Sequence, residues 1–174
     1  RDQFLAHSLE THADGVRILG ERRGEKENIN AQKVIVAAGS FGSTGLLLRS
    51  GFAQKLPALG KGFSSHPQFM SFALFDEVID AHKGAFQGVK SQDQYFRQAG
   101  FKLENVFGPP ISIAMLFNRL GPAHQNFMRN YRKMACIEVA VRDEAIGEIK
   151  LGAKGKLAIH KPLTQQDMHR RDMG

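Results

Sequence analysis

The chain has 174 residues, with 24 lysines and arginines against 17 aspartates and glutamates, a formal net charge of +7. Hydrophobic residues make up 42% and charged residues 24%, the proportions of a soluble globular chain, which excludes collagen-like, purely coiled-coil and compositionally disordered proteins. The length fits one domain, large enough to bury a real core.

The first 40 residues read as extended elements joined by turns. Phe4–Leu9 is a strand candidate, Ala13-Asp14-Gly15 a turn, and Val16–Leu19 an alternating strand. Glu21–Asn30 is rich in charge and reads as the solvated tip of a hairpin. Lys33–Ala38 is a continuous β-branched run, the pattern of a strand covered on both faces. Gly39 breaks it, Ser40–Thr44 turns, and Gly45–Ser50 reads as a short helix with Gly51 at its C-terminal cap. Residues 54–65 look like a loop.

The second half changes character near Leu59–Pro67, which we take as the join between two regions, 1–62 and 63–174. Phe69–Phe75 reads as a strand with both faces buried. Gly84–Lys90 and Phe101–Phe107 are further strand candidates. Ile111–Leu120 fits a strand or a helix. Pro122–Met134 looks helical, with Phe127, Met128, Tyr131 and Met134 on one side. Ile137–Val141 alternates as a strand, and Gly147–Ile159 holds a hairpin around Ala153-Lys154-Gly155. Thr164 caps a last helix to about Arg171. The expected class is α+β: a largely antiparallel sheet with peripheral helices, preceded by a strand–turn–helix unit.

Cys136 is the sole cysteine. It excludes an internal disulfide framework, tilts the reading towards a reducing, cytoplasmic compartment, and reads as a small core residue. The longest apolar run, residues 111–117, is far short of the roughly 20 residues of a membrane span. The opening Arg1-Asp2-Gln3 has neither Met nor a signal pattern and reads as an internal piece of a larger protein. The histidines show no paired spacing for a metal, so no metal site is expected.

The sharpest local feature is Val34-Ile35-Val36-Ala37-Ala38-Gly39-Ser40, followed by Ser43 and Leu46–Leu48. A strand end, a small-residue turn and a helix N-terminus together expose backbone N–H groups and suit an anionic ligand, although a plain packing turn has the same spacing. The segment Gly39-Ser40-Phe41-Gly42-Ser43-Thr44-Gly45-Leu46-Leu47-Leu48-Arg49-Ser50-Gly51 resembles the second signature of the glucose–methanol–choline (GMC) flavin-dependent oxidoreductases. Thr44 stands where that signature usually has Pro, and Phe52-Ala53 replaces its usual aliphatic-Gly ending. Leu59–Pro67 is similar to the family's Gly-x-x-Leu-x-x-His-Pro segment, with Phe63 in place of Leu.

The resemblance implies FAD held on a Rossmann-like fold and roofed by a substrate-side antiparallel sheet, in an enzyme that oxidises an alcohol by hydride transfer. It places Ala38, Gly39, Ser40 and Ser43 nearest the cofactor, as backbone approach rather than proton transfer. No glycine-rich pyrophosphate turn follows an early strand, and no segment matches the family's catalytic histidine region. No catalytic residue is therefore assigned, and the chain alone is expected to be inactive, needing the remaining portions of the same protein. His66 reads as a structural histidine ahead of Pro67. Two rivals come from other classes. The acid-free stretch with Arg119, Arg129, Arg132 and Lys133, interleaved with Phe127 and Tyr131, fits a nucleic-acid-binding module; the sheet alone fits a non-catalytic interaction domain.

Overall fold

A computed structural model describes residues 2–174; Arg1 lies outside them. The chain is α+β, with three small antiparallel sheets and five α-helices among the described residues. It forms two compact units. One runs through Ser64 and takes in Ala145–Pro162; the other is Ser65–Glu144 with Leu163–Gly174. The stretch 145–162, placed by sequence with the second region, thus packs with the first.

The first unit opens on a meander, β1 (Phe4–His12), β2 (Gly15–Arg22) and β3 (Glu25–Ala31), in that spatial order. Arg22 pairs with Glu25, leaving a two-residue turn of Arg23 and Gly24 with φ of 51° and 84°. Two successive positive φ values match the right-handed twist of flanking strands. The expected loop over Glu21–Asn30 is therefore mostly strand. Its charges pair across the ladder, Glu21 opposite Lys26 and Arg22 Nε on Glu27 Oε2 at 2.6 Å, which lets a hydrophilic segment hold sheet geometry.

Lys33–Ala38 also differs from expectation. It belongs to no sheet, and Ile35 is 91% exposed. A continuous apolar strand needs neighbours on both sides, and no described strand pairs with it. Helix α1 (Gly39–Arg49) begins six residues earlier than predicted, absorbing the expected turn at 40–44. The Ser43 hydroxyl accepts the Ala38 N–H at 2.9 Å, which organises that first turn. Gly51, at φ 76°, ends the helix as expected. The second sheet of this unit is β4 (Lys61–Phe63), β8 (Gly147–Leu151) and β9 (Leu157–His160), with β8 central.

The second unit is built on β7 (Met134–Val141), flanked by β5 (Gln68–Leu74) and β6 (Phe101–Asn105). Side chains alternate along β7: Met134 and Cys136 join Val106, Phe107, Ile113 and Tyr131 in one core, while Val139 and Val141 join Phe101 in another. β5 is half-buried rather than enclosed: Met70 and Phe72 pack on the first core and Phe69 on the second, but Leu74 at the strand's end is 63% exposed. Residues 84–90 are loop, touching the sheet through a bridge from Lys90 to Glu104. The ambiguous apolar run is helix α3 (Pro110–Leu116), led by Pro109-Pro110, whose fixed φ suits a helix start. Helices α2 (Gln94–Ala99) and α4 (Pro122–Arg129) complete the periphery. α4 stops earlier than the predicted Met134, giving way to a 3₁₀ turn over Tyr131–Lys133 that leads into β7.

The last helix, α5 (Gln165–Met173), carries the expected Thr164 cap in reciprocal form. Asp167 N–H donates to Thr164 Oγ1 at 3.1 Å and Thr164 N–H to Asp167 Oδ2 at 2.9 Å. Asp167 is fully buried and its Oδ1 also accepts Glu144 N–H at 2.9 Å, so one carboxylate fastens the helix to the end of β7's return loop.

Gly60 supplies a test of the first unit. It sits at φ 78°, its carbonyl accepts Ile149 N–H at 2.7 Å, and an added Cβ would collide with Ile149 O. Gly62 has a similar φ of 72° but the nearest atom to an added Cβ is 3.7 Å away. Gly62→Ala is expected to cost only the strain of a left-handed alanine, about 1–3 kcal/mol, and Gly60→Ala clearly more. Chemical denaturation of both variants checks this; equal losses would contradict it.

Candidate cofactor-binding site

Side-chain hydrogen bonds tie the C-terminal end of helix α1 to β1. At its C-terminus, Ser50 Oγ accepts Leu9 N–H at 2.8 Å and donates to Leu46 O at 2.6 Å, and Arg49 Nε donates to His7 O at 3.0 Å. Both bonds to β1 cross more than 40 residues of sequence. The N-terminus has no acidic residue in its first turn to neutralise its positive end. Gly39, its first residue, has φ 71°, and an added Cβ there would find no atom within 4 Å.

The four residues singled out from sequence fall on this corner. Ala38 is the exposed N-cap; Gly39 and Ser40 are exposed; Ser43, half-buried, spends its hydroxyl on Ala38 N–H. Ser40 also lines a cleft of about 310 Å³ with Thr44, Gly60, Lys61, Phe63 and Ser64. Two of these, Thr44 and Lys61, were not assigned to the site from sequence; the glycine-rich run around Lys61 was the available signal. Phe41 and Phe63 pack their rings 5.3 Å apart beside them. Exposed main chain, hydroxyls and one ammonium suit the phosphates and hydroxyls of a dinucleotide.

His66 lies in the second unit. Its backbone N–H and that of Ser65 donate to Asp143 at 3.2 and 3.0 Å, so one carboxylate shapes the His-Pro corner, where His66 takes φ 53°. Asp143 had no signal in the sequence. Cys136 is buried in the core, and burial together with Glu138 pushes its thiol up to about 11, which keeps it unreactive. Among the described residues no three histidines, cysteines or acids gather as metal ligands.

A further polar feature escaped sequence reading. Glu138, 1% exposed, stands in register opposite Glu104. Its Oε1 accepts from Gln68 and Gln87, each at 3.0 Å, while Oε2 meets no donor among the described residues. Glu104 instead receives Lys102 Nζ at 2.7 Å. Burial, then Glu104, pushes the Glu138 carboxyl up; Lys102 holds Glu104 down. With the two carboxyls in register, charge on the less buried Glu104 beside Lys102 is favoured over charge on the buried Glu138.

Residues 2–68 match the model of the GMC oxidoreductase family, at its N-terminal, FAD-binding domain. The chain is 28% identical over 127 residues to the uncharacterized GMC-type oxidoreductase Rv0492c of Mycobacterium tuberculosis, covering 73% of this chain and 20% of that protein. It is 30% identical over 140 residues to the long-chain-alcohol oxidase FAO1 of Arabidopsis thaliana, covering 76% of this chain and 18% of that one. The chain therefore spans about a fifth of the length of the curated relatives it matches. It belongs to the GMC oxidoreductase family.

The Glu138–Glu104 pair predicts a stability optimum. Glu138, with its raised pKa, contributes stability that is complete below the ordinary glutamate range and lost as pH rises through the raised value; Glu104, lowered, contributes above that range and is lost on acidification. Glu138→Gln keeps the neutral shape and should remove the alkaline-side decline. Urea unfolding across pH tests this, and superimposable profiles for wild type and variant would contradict it.

Proposed function

We propose that this chain carries the cofactor-facing corner and part of the substrate-side sheet of an FAD-dependent enzyme that oxidises an alcohol. The observation that carries the reading is Gly39: an uncovered, left-handed glycine opening a helix whose positive end has no acid against it. FAD, when bound, supplies the ring that accepts hydride from the alcohol carbon. Ala38 and Gly39 offer it main chain, Ser40 a hydroxyl, and Ser43 holds the turn by keeping Ala38 N–H. Thr44 and Lys61 extend the same polar surface. None of the residues here is assigned as the base and the glycine-rich pyrophosphate turn lies elsewhere, so the chain by itself is expected neither to retain FAD nor to turn over.

Two further observations support this. The apolar run Lys33–Ala38 ends at Gly39 yet lies outside any described sheet, as expected of a strand whose neighbours belong to the rest of an FAD-binding domain. The relative named a long-chain-alcohol oxidase shares 30% identity over most of this chain, which makes an alcohol the substrate class to test first. The full-length protein, purified, is expected to show the absorbance of oxidised flavin and to bleach when a primary alcohol is added without oxygen. A colourless protein that stays colourless after reconstitution with FAD would contradict the reading.

A further inference from the structure

The acid-free basic stretch of the second unit turns its aromatic rings inward. The buried Tyr131 donates its hydroxyl to Gly108 O at 2.7 Å, and Phe127 stacks on Phe117 at 4.2 Å and meets Phe72 edge-on at 5.3 Å. Those rings are not offered to bases. A different group of cations in the same unit does converge. A cavity of about 260 Å³ opens near the end of β7, where α2 meets β6, and Lys90, Arg97, Lys102 and Arg142 line it against one acid, Asp93. Asp93 is committed to capping α2, where its carboxylate accepts Tyr95 N–H at 2.7 Å. Lys102 is spent on Glu104 at 2.7 Å, and Lys90 acts on that same carboxylate. Arg97 and Arg142 have no ion-pair partner among the described residues.

The fold builds this corner around Gly100. That residue ends α2 at φ 90°, its carbonyl accepts Arg142 N–H at 2.8 Å, and Arg142 O in turn accepts from Arg170 Nη1 at 2.7 Å. The main chain carrying Arg142 is thus held on both sides. A Cβ on Gly100 would stand 2.7 Å from Arg170 Nε and 3.5 Å from Arg142 Nη2, so the bare glycine is what lets two guanidinium groups close in. Asp167, 3.7 Å from Arg170 Nη1, offsets one of those charges, while Arg170 Nε is enclosed with no acceptor among the described residues. No described acid offsets Arg142. Like charges held together cost free energy that an anion between them would recover. The rest of the wall is hydrocarbon: the rings of Phe96 and Phe101, 4.9 Å apart, with Ala140 beside them. A carboxylate matches the planar fork of a guanidinium, and an apolar body matches the wall. A bare phosphate would leave that wall unused and bring a second negative charge towards Asp93.

We propose that this cavity binds a small monocarboxylate, with its head group on Arg97 and Arg142 and its hydrocarbon body against Phe96 and Phe101. All the residues involved belong to the second unit. The inference does not rest on the flavin reading, because binding is measured without turnover and whether or not flavin is present.

Titration calorimetry of the full-length protein tests it, with octanoate as the probe and octanamide and inorganic phosphate beside it. Octanoate should bind, and the neutral octanamide and the phosphate should each bind more weakly by roughly tenfold or more. Arg97→Gln and Arg142→Gln should each weaken octanoate by roughly tenfold, and the double variant should abolish binding. Arg129→Gln, which removes an exposed cation outside the cavity, should leave it unchanged. Arg97 and Arg142 are exposed, so unchanged circular dichroism is expected and shows that any loss is local. The proposal is overturned if octanoate does not bind, if octanamide or phosphate binds as tightly, if the double variant still binds as wild type does, or if Arg129→Gln weakens binding as much as Arg142→Gln.

Discussion

The first unit depends on how α1 is held. Its C-terminal turn is bolted to β1 through Ser50 and Arg49, and Gly51 closes it with a left-handed residue. Its N-terminal turn is organised by the Ser43 hydroxyl on Ala38 N–H and by Phe41 packing on Phe63, while Ala38, Gly39 and Ser40 stay exposed. A helix held in place, with the residues of its N-terminal end exposed, presents its free N–H groups in a set direction without having to order them on binding. That lowers the entropic cost of holding an anionic ligand. An acid in the first turn would have neutralised the end, and a side chain at Gly39 would have strained and covered it; the sequence has neither.

The second unit solves a different difficulty, the placing of ionisable groups inside a small sheet. Asp167 is buried, but its carboxylate accepts backbone N–H groups from Glu144 and Thr164 and has Arg170 Nη1 at 3.7 Å. Glu138 is equally buried but has donors on one oxygen only, and the adjoining Glu104 makes full ionisation of both unfavourable. Protonation settles what geometry leaves open. Gln87 reaches this carboxyl from the 84–90 loop and donates to its Oε1 at 3.0 Å, which ties that loop to the sheet.

Much of this was legible in the residues. Turn signals at Asp14-Gly15 and Lys154-Gly155, the Gly51 cap and the Thr164 cap each mark a backbone conformation that few residues tolerate, and each stands where expected. Position 39 was legible for the same reason. Burial was not. Lys33–Ala38 has the composition of an enclosed strand, yet hydrophobicity records what a segment needs and not which neighbours supply it. Glu25–Ala31 failed in the opposite sense: its charges suggested a loop, while cross-strand partners such as Arg22 and Glu27 made a strand of it. Asp143 and Glu138 carried no signal at all, because their roles arise from strand register and long-range hydrogen bonds rather than from any local pattern.

The central claim is that main chain at Gly39 touches the flavin dinucleotide. Gly51 is an internal control, since it too has a positive φ, 76°, and an added Cβ there also meets nothing within 4 Å. Valine at either site imposes comparable backbone strain, but only at Gly39 would it stand in the cofactor's way. The decisive measurement is the flavin-to-protein ratio of full-length Gly39→Val beside Gly51→Val. The account predicts loss of flavin in the first with retention in the second; full flavin occupancy in Gly39→Val would contradict it.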